Sequence, residues 1–249
     1  MRLGIISDMH GNAVAMHAAL KDLYAHQPDK VVCLGDAVQG GPQPAEVVSI
    51  LRDRNIPTVM GNSDAWLLEG FEIKSESLTP ERRERLDKGR LWSLSQLNED
   101  DKMYIRNFSP TIEMKMGGKK LLCFHGSPVS FDEILLTSDP EDKLAAALEP
   151  YEADLYCGGH THTQFVRQIG ESVFFNPGSV GVVVRSRMPK NQVRLEPWAE
   201  YAILTLEDGR QSLDFQRVPF DVGALISAYE ERNHPHAARA AEEYGFVRS

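Results

Sequence analysis

Cysteine is scarce in this chain: Cys33, Cys123 and Cys157 are the three among 249 residues, and no C-x-x-C pair occurs. An odd count, with each thiol inside an apolar run, argues against a disulfide framework or a thiolate metal cage and predicts reduced core cysteines. Long apolar stretches are missing as well. No run approaches the roughly 18 residues of a membrane span, and the chain opens on MRLGIIS without a basic-then-apolar leader, so a cytoplasmic protein with no membrane association is expected. Positive charge is short: 27 Lys and Arg stand against 36 Asp and Glu, a formal net charge of -9. With a pI of about 5.4, an extended nucleic-acid footprint is not expected. Internal repeats and low-complexity linkers are lacking too, and at 42% hydrophobic content one α/β domain over residues 1–249 can bury a sizeable core.

What the chain has is a set of nitrogen and oxygen donors just past five strand-like runs. Asp8 and His10 follow LGIIS, Asp36 follows VVCLG, Asn62 lies in VMGNSD, His125 in LLCFHG, and His160 and His162 in CGGHTH. In extended backbone alternate residues face one way, so D-x-H and H-x-H can each present two ligands to one side. Any one of these residues alone reads best as a loop aspartate or a hydrogen-bonded histidine. Seven of them at strand ends make a site. Asp8 and Asp36 bring two negative charges against the four positive charges of two divalent cations, so such a centre stays positive and attracts phosphate. Imidazole, carboxylate and one amide suit Mn²⁺, Fe, Zn²⁺, Co²⁺ or Ni²⁺ better than a thiolate-selected metal or an all-oxygen Ca²⁺ cage.

The order D-x-H (Asp8, His10), G-D (Gly35, Asp36), G-N-x-D (Gly61, Asn62, Asp64), H-G (His125, Gly126) and G-H-x-H (Gly159, His160, His162) resembles the calcineurin-like metallophosphoesterase superfamily. SDMHGN, GDAVQGGP, GNSDAWLL, FHGSP, GGHTH and NPGSVG are most similar to its small bacterial phosphodiesterase-like branch. The likeness spans residues 2 to about 181. It implies a four-layer αββα sandwich of two mixed sheets flanked by helices. It also implies that Asp8, His10 and His162 serve one divalent metal, that Asn62, His125 and His160 serve the other, and that Asp36 bridges them. Hydrolysis of a small phosphate ester, most simply a phosphodiester, by a hydroxide held between the metals would follow. The resemblance also permits a phosphomonoesterase or dinucleoside polyphosphate hydrolase, and a catalytically silent protein-binding scaffold like the metallophosphoesterase-like retromer subunit. Oligomeric state stays open.

One position departs from the pattern. Many superfamily members carry a histidine in the middle of G-N-H-D/E, thought to protonate the leaving group, and here Ser63 stands there. A hydroxyl is too weak an acid for that task, and general acid catalysis is worth roughly 10²–10⁴ in rate, so esters with good leaving groups should be preferred. Ser63, being smaller, would make room for a second ester arm. Asp64, next along, is expected to orient a histidine by a hydrogen bond, and Asp36, Asn62 and Asp64 together form the expected catalytic set.

Elsewhere the apolar pattern predicts strands at 2–7, 30–34 and 57–60 alternating with helices at 13–26 and 43–54, a βαβαβ order with a parallel sheet. Further strands are expected at 111–116, 119–124, 154–157, 164–169 and 172–175, and a hairpin at 199–207 and 211–218. ERRERLDKGR at 81–90 reads as an exposed helix, with Arg82, Arg83 or Arg85 as an alternative phosphate clamp. Arg185 and Arg187 are somewhat better clamp candidates, since their loop follows the strand at 172–175, with a surface turn before Pro189 as the equal alternative. His17 and His26 fall on the first helix, while His234 and His236 flank Pro235 in what reads as an interhelical turn rather than a metal site. Gly40 and Gly41 read as a turn before Pro42, with phosphate cradling as the weaker alternative.

Overall fold

A computed structural model describes residues 1–70, 79–184, 193–207 and 209–246. Arg185 and Arg187 therefore lie outside the described residues. The first strand β1 (Arg2–Ile6) is followed by α1 (Ala13–Ala25), β2 (Lys30–Cys33), α2 (Pro44–Asp53), α3 (Asn62–Glu69), α4 (Pro80–Ser95) and α5 (Glu99–Arg106). Then come β3 (Ile112–Met116), β4 (Lys119–Cys123), α6 (Glu141–Leu148), β5 (Leu155–Cys157), β6 (Phe165–Ile169) and β7 (Ser172–Asn176). The hairpin β8 (Trp198–Glu207) and β9 (Arg210–Pro219) leads into α7 (Val222–Glu231) and α8 (Ala237–Tyr244).

The strands form two mixed sheets, ordered β2-β1-β8-β9 and β3-β4-β5-β7-β6. Strand pleating explains how they stack. Leu3 and Ile5 of β1 meet Leu121 and Cys123 of β4 and Leu155 and Cys157 of β5 in one buried cluster between the sheets. Ile6 and Cys33 instead face a cluster built with Met16, Leu20 and Leu23 of α1 and Leu51 of α2. On the far side Leu122, Phe124, Tyr156 and Phe174 pack with Leu144 and Leu148 of α6. Three apolar seams between four layers give the αββα sandwich, each fully buried Leu or Ile contributing roughly 1.5–3 kcal/mol. All three cysteines are free and buried, and burial pushes the Cys123 thiol up to about 12, as expected of core residues.

The strand expected at 57–60 is not a full strand. Thr58 makes an isolated parallel bridge to Cys33 and Val59 one to Ser109. Pro57 has no N–H to offer and the chain turns into α3 at Asn62, so only a two-residue extended link remains between β2 and Ser109. Beyond the helix expected at 81–90, the 66–107 region carries the end of α3 and all of α4 and α5. Its start signals were present: Thr79 caps α4 ahead of Pro80, and Asn98 with Asp101 forms a capping box on α5. No helix of the described residues is long and apolar enough to cross a membrane.

Candidate metal centre

β1, β2, β4 and β5 end on the same side of the sandwich, and the loops that follow them bring the donors together. Asp8, His10 and His162 form one group of ligand atoms within 4.8 Å of one another, and Asp36, His125 and His160 form a second. Asn62 joins the second group: its Oδ1 lies 3.0 Å from His125 Nε2. The backbone bends sharply to achieve this. Asp8, His10, Asp36, His160 and His162 all adopt positive φ, between 47° and 68°, at a cost of about 1–2 kcal/mol each. Glycines clear the space around them. A methyl group at Gly61 would collide with Asp36, and one at Gly159 would collide with Ser7 and crowd Asp8.

Three imidazoles are fixed in one tautomer by backbone carbonyls. Nδ1 of His10 donates to Gln39 O at 2.9 Å, Nδ1 of His125 to Leu34 O at 2.8 Å, and Nδ1 of His162 to Val182 O at 2.7 Å. A carbonyl only accepts, so each ring keeps a hydrogen on Nδ1 and turns Nε2 into the centre, where a cation in place of a proton would meet its lone pair. The Nε2 atoms of His10 and His162 face each other at 3.1 Å. Asp8 Oδ1 lies 3.2 Å from His162 Nε2 and 3.9 Å from His10 Nε2, buried and without a hydrogen-bond partner. Its other oxygen accepts from Ser7 Oγ at 2.5 Å and from the His160 N–H at 3.2 Å. Three electron pairs converging on one point, with the remaining valences satisfied behind them, fit a cation.

The electrostatics agree. Burial opposes charge on every group here, yet Asp36 lifts His125 to about 10 and Asp8 raises His162. His10 and His160, where burial prevails, are lowered. Asp8 and Asp36 are buried but held below the usual carboxylate range by His162 and His125 respectively. The centre calls for positive charge, which bound divalent cations supply without protonating a ligand.

Asp36 sits between the groups, with Oδ1 3.4 Å from His125 Nε2 and Oδ2 3.6 Å from His10 Nε2. Its grip comes from Ser63, whose N–H donates to Oδ1 at 2.7 Å and whose hydroxyl donates to Oδ2 at 2.8 Å. Ser63 thus holds the Asp36 carboxylate from the N-terminus of α3. The expectation for Asp64 needs correction too. Instead of orienting a histidine, its two oxygens accept from the N–H groups of Ala37 at 3.1 Å and Val38 at 3.0 Å. It clamps the loop that carries Asp36, because α3 turns it toward that backbone, and burial followed by the Asp36 charge pushes it up to about 7.

Two positioning residues carried no assigned role in the sequence reading. Asn176 donates to Gly159 O at 2.6 Å and to Thr161 Oγ1 at 3.1 Å, holding the loop of His160 and His162. Ser179 donates to Asp8 O at 2.9 Å. Both belong to NPGSVG, which was the available signal. A cavity of about 530 Å³ opens beside the centre and is lined by His10, His162, Gly40, Arg82 and His236. Arg82 is exposed and lines it, whereas Arg83 and Arg85 do not. Gly41 serves packing, since a methyl there would lie 2.5 Å from His10 O, while Gly40 is set apart by its φ of 131°. His234 Nδ1 accepts from the His236 N–H at 3.1 Å in the turn between α7 and α8, so the pair closes a turn.

Residues 1–209 match the calcineurin-like phosphoesterase superfamily domain. The chain belongs to that superfamily, a family of metal-dependent phosphoesterases. It is 26% identical over 253 residues to the uncharacterized protein MJ0912 of Methanocaldococcus jannaschii, covering 92% of this chain and 90% of that one. A metallophosphoesterase from Sphaerobacter thermophilus superimposes with a TM-score of 0.68 at 26% identity, covering 97% of this chain and 98% of that one. The hypothetical protein PH1004 from Pyrococcus horikoshii OT3 superimposes with a TM-score of 0.79 over 99% of both chains; at 18% identity it speaks for the fold alone.

Proposed function

We propose that this phosphoesterase is dinuclear and prefers phosphodiesters. Asp8, His10 and His162 would hold one divalent cation, Asn62, His125 and His160 the other, and Asp36 would be shared. The facing Nε2 atoms of His10 and His162, 3.1 Å apart beside the unpartnered Asp8 Oδ1, support the first cation, the grouping of Asp36, His125 and His160 within 4.8 Å supports the second, and the diester preference rests on Ser63. Bound divalent cations supply Lewis acidity, which neutralises phosphoryl oxygens and acidifies a water. The chain supplies the rest. The Nδ1 hydrogen bonds of His10, His125 and His162 fix the donor directions, Ser63 holds both Asp36 oxygens in place, and Asp64 anchors its loop. The Ser63 hydroxyl is committed to Asp36 and is a poor acid, so no imidazole at this position protonates the leaving group. Aryl and other good leaving groups are favoured.

Metal analysis of the purified chain tests the centre. About two equivalents of divalent metal after loading with Mn²⁺, and faster turnover of an aryl phosphodiester than of the matching monoester, are expected. A monoester preference overturns the diester reading, and failure to bind metal or gain activity with Mn²⁺ or Ni²⁺ favours a scaffold.

A further inference from the structure

The cavity beside the centre is larger than a phosphate needs. At about 530 Å³ it falls within the range of roughly 300–1,000 Å³ typical of small-molecule sites. One wall is His10 and His162. The facing walls are apolar: Leu86 from α4, Leu225 and Tyr229 from α7, and Tyr244 from α8. The superfamily match ends at residue 209, so α7 and α8 lie beyond it.

That wall is fastened to the centre. Tyr244 donates its hydroxyl to Gly181 O at 3.2 Å, which also accepts from Asn12 Nδ2 at 3.3 Å. Gly181 precedes Val182, whose carbonyl orients His162. At the other end Trp92 of α4 donates to Arg232 O at 3.3 Å, just past α7. Of the charged residues in its lining, Arg239 pairs with Glu243 and Arg82 makes no side-chain ion pair or hydrogen bond among the described residues.

We propose that this cavity seats the second ester arm of the substrate and that the arm is aryl, or comparably bulky and apolar. The inference rests on the phosphodiesterase reading, since a monoester has no second arm to place there. A phosphoryl group held against His10 and His162 has its substituent directed into the adjoining space. Small, strongly hydrated arms would gain nothing from Leu86, Leu225 and Tyr229, whereas an aromatic ring would lose its water there.

Calorimetric titration of the full, Mn²⁺-loaded chain with diphenyl phosphate and with dimethyl phosphate tests this without requiring turnover. Diphenyl phosphate should bind at least about tenfold more tightly. Leu86→Trp, which fills the cavity from α4, and Tyr229→Ala, which removes part of the α7 wall, should each shrink that ratio severalfold. Melting curves establish that the variants fold. A wild-type ratio near one overturns the proposal, as does a ratio that both folded variants leave intact. Turnover assayed alongside separates the two readings: diphenyl selectivity without any phosphodiester hydrolysis overturns the phosphodiesterase assignment and keeps the cavity, and hydrolysis without selectivity does the reverse.

Discussion

Ser63 holds Asp36 at both carboxylate oxygens, through its N–H at 2.7 Å and its hydroxyl at 2.8 Å. The backbone bond survives substitution by alanine, so Ser63→Ala isolates the hydroxyl. Hydrogen-bond partners behind metal ligands are worth about 10–100-fold in affinity or activity. Ser63→Ala should weaken binding of one Mn²⁺ equivalent by about tenfold in a calorimetric titration, with little change in melting temperature. Unchanged affinity would show that the N–H alone suffices.

Asp64→Asn leaves one oxygen for Val38 or Ala37 and turns an NH₂ group toward the other N–H. A buried donor then lacks its acceptor, which costs about 1–3 kcal/mol. Urea unfolding should show that loss, and metal occupancy should fall because the Asp36 loop is no longer clamped. Loss of turnover with stability and metal content intact would instead point to direct participation.

Arg82 lines the cavity with His10 and has no side-chain partner among the described residues. If it meets the substrate phosphate or its rim, Arg82→Ala raises KM about three- to tenfold with a smaller change in kcat. Steady-state kinetics on an aryl diester decides, and unchanged KM would return Arg82 to a solvated helix face.

His234 is buried beside Trp92 and Tyr229, and burial, with the nearby His236, depresses its pKa to about 4. A histidine depressed in the folded state stays neutral while the unfolded chain takes up a proton. Its contribution is therefore neutral above the unfolded value of about 6.5 and becomes destabilising as pH falls from there toward about 4. Between pH 7 and pH 5 this should cost about 1 kcal/mol, allowing for partial screening by solvent. Denaturant unfolding at the two pH values should show a smaller drop in His234→Gln than in the wild type.

Stripping divalent metal should lower the melting temperature and Mn²⁺ should restore it. Asp8 and Asp36 are then left buried with no cation beyond the neighbouring imidazoles to balance their charge. Binding at a hundredfold above Kd stabilises by about 2.7 kcal/mol per site. Thermal melts with a chelator and with added Mn²⁺ measure this directly.

Much of this molecule is legible along the chain because it is local. D-x-H, G-D, G-N, H-G and G-H-x-H each place a donor immediately after an apolar run, and a strand end is where side chains of an α/β sheet meet. Most predicted strand boundaries agree within a residue or two, and the hairpin at Gly209 was readable from its turn. Tertiary structure alone decided what depends on distant partners. β8 inserts antiparallel beside β1 across some 200 residues, and 57–60 is trimmed to a bridge by the entry into α3. Ser63 and Asp64 acquire their tasks from the direction in which α3 points them, which no spacing encodes. The same holds for the cavity: α7 and α8 carry no motif, and only their docking against α4 and Gly181 turns ordinary Leu and Tyr residues into a wall beside the donors. Residue types and order determined which atoms can bind metal; long-range packing determined what else those atoms face.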